Sequence, residues 1–338
     1  MAHANARRAH LSVGFVLLGC AIMMGPAAQS AEPSALVVET KIPLGDVTGR
    51  IDHLAFDPTR KRVYVAELGN NTVGIVDLAT RKLVRTVKGF EEPQGIGYEP
   101  TTDTVYVANG GDGAVHVLRA EDFAPVGVIA LGEDADNVRV DTSARRVYVG
   151  YGNGALAVID PATRRKVADI PLRGHPESFQ LDPSSDRVFV NVPTAAQIAV
   201  VSRNASRQIE SWPAGNLRDN FPLALDTANA RVIAVFRRPA RLQSFDLRSG
   251  RVVAESEISP DADDVFVDAP RHRLYVICGE GYVETLDASA DTYKRLPRIA
   301  TSPGSRTGLF ISALDRLVVA IRATHDEPAA VWVLRPGE

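Results

Sequence analysis

The most regular feature of the chain is a short apolar run that returns at nearly constant intervals. It reads VYVAE at 63–67, VYVAN at 105–109, VYVGY at 147–151, VFVNV at 188–192, VIAVF at 232–236, LYVIC at 274–278 and LVVAI at 317–321. The runs begin at Val63, Val105, Val147, Val188, Val232, Leu274 and Leu317, so the intervals are 42, 42, 41, 44, 42 and 43 residues. A fixed period of this size marks a repeat architecture. Polarity changes in the same order around each run. A short apolar segment precedes it, Leu54 to Phe56 in the first copy. After a turn comes a third segment (VGIVDL 73–78, ALAVID 155–160, RLQSFD 241–246), and a more polar one (KLVRTV 82–87) closes the unit. Runs rich in Val, Ile and Tyr between Gly, Asn and Asp predict strands. Each copy therefore predicts four strands, A to D, with the recurrent run as strand B. The B–C turns carry Asn70-Asn71, Gly110-Gly111-Asp112-Gly113 and Gly152-Asn153-Gly154. These supply the positive φ that tight hairpins need. The competing reading, a phosphate cradle, lacks the following helix whose N-terminus would face the phosphate.

Seven four-stranded units at this period predict an all-β fold, a seven-bladed β-propeller with four-stranded blades. The last copy stops after its third strand, Val331 to Leu334, and a strand-like segment, Leu36 to Ile42, precedes the first copy without a partner. The N-terminal strand is thus expected to close the last blade as its outer strand, which removes an open sheet edge from the ring. An acid and an arginine also recur five apart at the A–B turn: Asp57/Arg62, Asp141/Arg146, Asp182/Arg187, Asp226/Arg231 and Asp268/Arg273. The acid is expected to accept turn hydrogen bonds and the arginine to bridge back across the hairpin. Such exposed pairs contribute on the order of 0–1 kcal/mol each.

The first 30 residues differ in kind. Arg7 and Arg8 precede an apolar run from Leu11 to Met24, and Ala28 and Ser30 stand three and one before a cut after residue 30. This predicts a signal peptide at 1–30 and a mature propeller at 31–338, periplasmic or secreted. The run is too short and glycine-interrupted for a membrane span, so none is expected after cleavage. Cys20 after Leu-Leu-Gly loosely resembles a lipidation site, but the apolar run continues past it. The formal charge of −3 becomes −5 without the leader, because two Arg leave and no acids do. No strongly basic face follows from this, and nucleic acid is not an expected partner. Only Cys278 remains after cleavage, which excludes an internal disulfide and is expected to be buried packing. Two Trp are too few for the repeated tryptophan pattern of quinoprotein propellers.

The strand-B motif, in VYVAELGNNTVGIVDLAT (63–80) and VYVAN (105–109), resembles the YVTN-repeat, YncE-like family of seven-bladed propellers. The resemblance spans nearly all of the mature chain. It implies an exported propeller that binds a surface, nucleic acid or a small ligand, and it brings no shared catalytic set. VIAVF and LVVAI keep its apolar pattern and lose its letters.

A ligand breaks the symmetry of a ring, so site positions should differ between blades while framework positions repeat. Ten residues before each strand-B anchor stand His53, Gly95, Asn137, Ser178, Pro222, Asp264 and Thr307. Eleven before stand Asp52, Gln94, Asp136, Glu177, Phe221, Asp263 and Arg306, with Arg50, His175, Arg218 and Asn220 nearby. Crowded carboxylates raise one another's pKa unless a cation joins them. Two arrangements relieve that crowding. A divalent metal, Ca or Mg, is held by His53, Asn137, Glu177 and Asp264; or Arg50, Arg218 and Arg306 neutralise the acids. A merely wet, polar channel mouth is the third reading. Ligand-binding candidates are Arg50, Asp52, Gln94, Asp136, Asn220, Asp263 and Arg306; catalytic candidates are His53 and His175. The connection 322–327, with His325, Asp326 and Glu327, is expected on the same face as a rim or lid, and Arg237, Arg238 and Arg241 as a solvated turn or an anion contact.

Two functions follow. The first is a monomeric binding scaffold that holds a small molecule or a protein partner on the channel face. The second is a metal-assisted lyase or hydrolase, lactonase-like, in which a cation polarises a carbonyl and His53 or His175 moves a proton.

Overall fold

The computed structural model describes residues 1–3 and 35–337. The chain divides into Met1–Glu32 and Pro33–Glu338, and the fold belongs to the second unit. Apart from its first three residues, the predicted leader, with Cys20, lies outside the described residues. Among those residues no helix is long and apolar enough to cross a membrane.

The described chain forms seven antiparallel four-stranded sheets. Blade 1 runs Leu54–Asp57, Arg62–Glu67, Thr72–Asp77 and Lys82–Lys88, in that order from the channel outward, and blades 2 to 6 repeat it. Blade 7 takes Gly308–Ile311, Arg316–Ile321 and Ala330–Pro336 from the C-terminal end and its outer strand, Leu36–Pro43, from the N-terminal end. Leu36 lies opposite Pro336 and Pro43 opposite Ala330, with a bulge between Val38 and Thr40. The predicted closure is therefore present.

Each blade packs both faces against neighbours, which is why strand B reads as an unbroken apolar run rather than an alternation. The cores lie between blades. Val63 and Val65 of blade 1 pack with Val318 and Val331 of blade 7, Tyr64 of blade 1 with Val105 of blade 2, and Tyr148 of blade 3 with Phe179 of blade 4. The outermost strands show the opposite pattern: Lys82–Lys88 is exposed along most of its length.

The A–B turns follow the expectation for the acids and depart from it for the arginines. Asp57 accepts from the amides of Thr59 and Arg60, and Asp182 from Ser184. Asp182 keeps its predicted arginine, Arg187, at 3.7 Å. Asp57 and Asp268 pair instead with Arg60 and Arg271, which reach on to Asp103 and Asp315 of the next blades. Arg231 turns to Asp291. Cα atoms opposed across a hairpin do not bring an acid and an arginine together when a neighbouring blade offers another carboxylate.

Glu67 ends strand B of blade 1 and is fully buried. One carboxylate oxygen accepts from the Thr72 hydroxyl at 2.5 Å and the other has no hydrogen-bond partner among the described residues. Burial pushes its pKa up to about 7, against the pull of the Thr72 bond. The folded state thus binds a proton that the unfolded state has released, so stability falls as pH rises from about 4.5 to 7. Glu67→Gln is expected to raise stability at pH 8 by roughly 1–2 kcal/mol and to leave pH 4 unchanged. Urea denaturation at the two pH values checks this; equal effects at both would refute it. Cys278 is buried, as expected, and burial pushes its thiol well above its ordinary value.

Candidate functional site

Inner strands begin with an irregularity that sets up the channel mouth. The register of strands A and B shifts between Pro93 and Ile96 in blade 2, Ala135 and Val138 in blade 3, Asn220 and Leu223 in blade 5, and Ala262 and Asp264 in blade 6. A bulge re-aims side chains that regular pleating would send into the sheet packing. Gln94, Asp136, Phe221 and Asp263 occupy these shifted positions. Gly95 makes room for one of them: a Cβ there would lie 2.1 Å from the Asp136 carbonyl oxygen.

The result is a polar chamber of about 170 Å³. Six of the seven residues standing eleven before the strand-B anchors line it: Gln94, Asp136, Glu177, Phe221, Asp263 and Arg306. Arg50, His53, Asp134, His175 and Arg237 complete the lining. The seventh, Asp52, is buried beside the chamber, 2.8 Å from Arg50 and 3.7 Å from His53. His53 also lines a second cavity of about 510 Å³ with Asp264, Phe56, Tyr98, Arg139 and Phe310, so it stands at the junction of the two. That cavity is walled mainly by strand-A side chains. Arg139 there donates to the Val138 carbonyl at 2.9 Å, and burial holds its guanidinium below the usual range despite Asp264 and Asp136.

Not every candidate reaches the chamber. Asn137 is buried next to Asp136, 3.4 Å from its Oδ1. Asn220 is fully buried, and its amide donates to Asn191 Oδ1 and the Gln197 carbonyl, both at 2.9 Å, inside the wall of blades 4 and 5. Asp264 accepts from the Gly308 amide at 2.9 Å and faces His53 at 3.6 Å. The four residues proposed together as metal ligands are therefore divided: Glu177 lines the chamber, Asp264 the lower cavity, His53 both, and Asn137 neither. His325, in the 322–327 connection, is exposed.

The sequence places Arg237 in a B–C turn, solvated or in contact with an anion. Strand B of blade 5 runs on to Arg238, and that extension carries Arg237 into the chamber. It stacks on Phe221 at 4.0 Å and donates to Asp263 at 2.6 Å. The signal was the longest repeat interval, 44 residues before blade 5's anchor, beside a strand-B run ending in two arginines.

Charge within the chamber is divided. On the side of blades 1, 5, 6 and 7 three acids have guanidinium partners: Asp52 has Arg50, Asp263 has Arg237 and, at 3.3 Å, Arg306, and Asp261 has Arg306 at 2.8 Å. On the side of blades 3 and 4, the ion-pair partner found for Asp136 among the described residues is His175, at 3.7 Å, and none is found for Glu177, with Arg50 acting on both acids from farther away. Burial pushes Glu177 up to about 8, reinforced by Asp136 and Asp263 and opposed by His175 and His53. Burial opposes a charged His175, but Asp136 and the Gly152 carbonyl outweigh it and raise the imidazole to about 9. Burial likewise opposes a charged His53, and Asp264 and Asp52 outweigh it and raise that ring to about 10. Glu177 is thus raised mainly by burial, whereas the two imidazoles are raised by the carboxylates that face them.

No protein-family model matches the chain, and no curated relative matches it. Among solved structures it is similar to Kuenenia stuttgartiensis hydrazine synthase, at 15% identity, over 87% of this chain and 96% of that one, with a TM-score of 0.74. A likeness at that identity is one of architecture, and it agrees with the ring of blades: the chain is a seven-bladed β-propeller.

Proposed function

We propose that this propeller is a ligand-binding scaffold whose site is the mouth chamber, and that its ligand is small, polar and positively charged where it meets blades 3 and 4. The observation that carries this reading is the divided charge: guanidinium-paired acids on one side, and on the other Asp136 and Glu177, which have no guanidinium or ammonium within ion-pair distance among the described residues. Two carboxylates enclosed together are costly unless a cation or protons join them. The leader read in the sequence supports action outside the cytoplasm, and the VYVAE and VYVAN motifs support membership of the YVTN-repeat family.

A thermal-shift panel of small ammonium, guanidinium and divalent cations, with phosphate and citrate as anions, tests the reading. At least one cation is expected to raise Tm by several degrees, since a ligand of the native state stabilises by mass action. Asp136→Asn is expected to abolish that rise. A shift by the anions alone would overturn the reading.

The second reading, a metal-assisted lyase or hydrolase, draws on the two imidazoles in one chamber. A ring pushed up to about 10 is protonated at neutral pH. In that reaction His53 would therefore donate a hydrogen bond to developing negative charge rather than act as base.

A further inference from the structure

We propose that Asp136, His175 and Glu177 form a binding site for one divalent first-row transition metal ion, of the Mn²⁺ to Zn²⁺ class rather than Ca²⁺ or Mg²⁺. The inference rests on the reading of the chamber as the ligand site and names the positive charge it receives.

One donor atom from each of these residues lies within 4.8 Å of the others. Asp136 comes from the bulged start of blade 3, and His175 and Glu177 flank Pro176 in the connection entering blade 4. Pro176 is seated against the neighbouring blade: a Cβ on Gly150 would meet its Cγ at 3.0 Å. The loop is thus held by packing.

His175 is oriented from outside the cluster. Its Nδ1 lies 2.7 Å from the Gly152 carbonyl oxygen. A carbonyl only accepts, so Nδ1 carries a hydrogen, and Nε2, 3.7 Å from Asp136 Oδ2, is the nitrogen at which a metal ion would replace a proton. Metal-ligating histidines are fixed this way, with the second ring nitrogen donating to a carbonyl or carboxylate. Glu177 supplies a separate indication. Its side chain lines the chamber, yet no side-chain hydrogen bond or ion pair to it is found among the described residues. Its backbone amide is spent on Asn191, which pins the residue but leaves the carboxylate free. Arginine forms ion pairs elsewhere, with Asp52 beside the chamber and Asp263 within it, and among the described residues none comes within ion-pair distance of Asp136 or Glu177.

The donor set selects the metal. Ca²⁺ takes six to eight oxygens and Mg²⁺ prefers oxygen and water. One imidazole with two carboxylates suits Mn, Fe, Co, Ni or Zn. Three protein ligands leave positions open toward the chamber, where Arg50, Arg237 and His53 face whatever the ion binds.

The test is titration of the purified, chelator-stripped protein with Zn²⁺, Mn²⁺, Ca²⁺ and Mg²⁺ by calorimetry, and with Co²⁺ by visible absorption. The expected result is one transition ion per chain and a Co²⁺ ligand-field band, with millimolar Ca²⁺ or Mg²⁺ failing to compete. His175→Gln is expected to weaken Zn²⁺ binding at least 100-fold and Glu177→Gln roughly 10- to 100-fold. Because no bond to the Glu177 carboxylate is found among the described residues, Glu177→Gln is expected to keep the wild-type circular dichroism, so its loss of metal is not a loss of structure. His116→Gln, which breaks a His–Asp pair of 3.0 Å elsewhere on blade 2, is expected to change nothing. No stoichiometric transition metal, equal binding of Ca²⁺, or binding indifferent to both chamber variants would overturn the proposal. An ammonium ligand that still raises Tm in that case would leave the chamber reading standing; silence from both probes would remove both.

Discussion

A chain that begins at Leu44 is expected to lose cooperative folding or to melt at least 15 °C below the intact propeller. The segment removed is small, but it is the outer strand of blade 7. Leu36–Pro43 pairs with Ala330–Pro336 along its whole length, and Leu36 and Ile42 are fully buried. Ile42 packs with Val63 of blade 1 and Val331 of blade 7, while Leu36 packs with Tyr275 of blade 6 and Trp332 of blade 7. Burying such side chains is worth about 1.5–3 kcal/mol each. Leu36, Val38 and Ile42 together therefore account for roughly 4–7 kcal/mol, against a total of about 5–15 kcal/mol for a typical domain. Deletion also leaves the polar backbone of Ala330–Pro336 as an open edge, which invites pairing with another chain. Differential scanning calorimetry of the truncated and intact chains reads the effect. A peptide of residues 35–44 added in trans is expected to recover part of the lost stability, since it restores the same edge. An unchanged Tm in the truncated chain would show that the ring does not depend on this closure.

That closure was legible because both ends of the sequence announce it: a final repeat lacking one strand, and a strand-like segment with no repeat of its own. The blades were legible for a related reason. A strand packed on both faces cannot alternate, so Val63 to Ala66 and its six counterparts stand out as apolar runs whose spacing survives when their letters drift. The site was legible only as a ring of positions. Comparing residues at a fixed offset from each anchor isolated Asp136, Glu177, Asp263 and Arg306, all of which line the chamber. The offset alone does not tell a residue in the lumen from one in the wall. Asn220 and Phe221 are neighbours; the bulge between Asn220 and Leu223 sends Phe221 to the chamber, while Asn220 is consumed in the wall. Arg237 was missed because its position depends on how far strand B of blade 5 continues. The hairpin acid–arginine pairs mislead in a similar way, since Arg60 and Arg271 find carboxylates on adjacent blades that no local pattern displays.

Stability is expected to fall steadily as pH rises from 4 to 10, and the steepest alkaline part should belong to His53. The ring lies 3.6 Å from Asp264 and 3.7 Å from Asp52, with its side chain only 13% exposed. Burial alone would favour the neutral imidazole; Asp264, then Asp52 and Asp136, outweigh it and raise the ring to about 10. In the unfolded chain an imidazole titrates near 6.5. The stabilisation is therefore complete below about pH 6.5 and is lost as pH climbs through the folded value. Asp52 acts in the same direction at lower pH. Burial is the largest influence on it, opposed by His53 and Arg50, and pushes it up to about 7. The folded state keeps that proton where an unfolded aspartate has already lost it, so stability declines between about pH 4 and 7. An upward shift of this size at His53 corresponds to roughly 2–4 kcal/mol once relaxation and water entry are allowed for. His53→Gln is expected to be much less stable than wild type at pH 6 and nearly equal to it at pH 10.5, which removes the alkaline limb of the profile. Asp52→Asn is expected to flatten the limb below pH 7. Guanidinium denaturation from pH 4 to 10.5 at high ionic strength measures these slopes while screening surface pairs, which decay within about 3 Å at 1 M salt. A wild-type profile flat between pH 7 and 10, or one unaltered by His53→Gln, would mean that Asp264 and Asp52 do not hold the imidazolium. The junction between the chamber and the lower cavity would then carry no fixed positive charge.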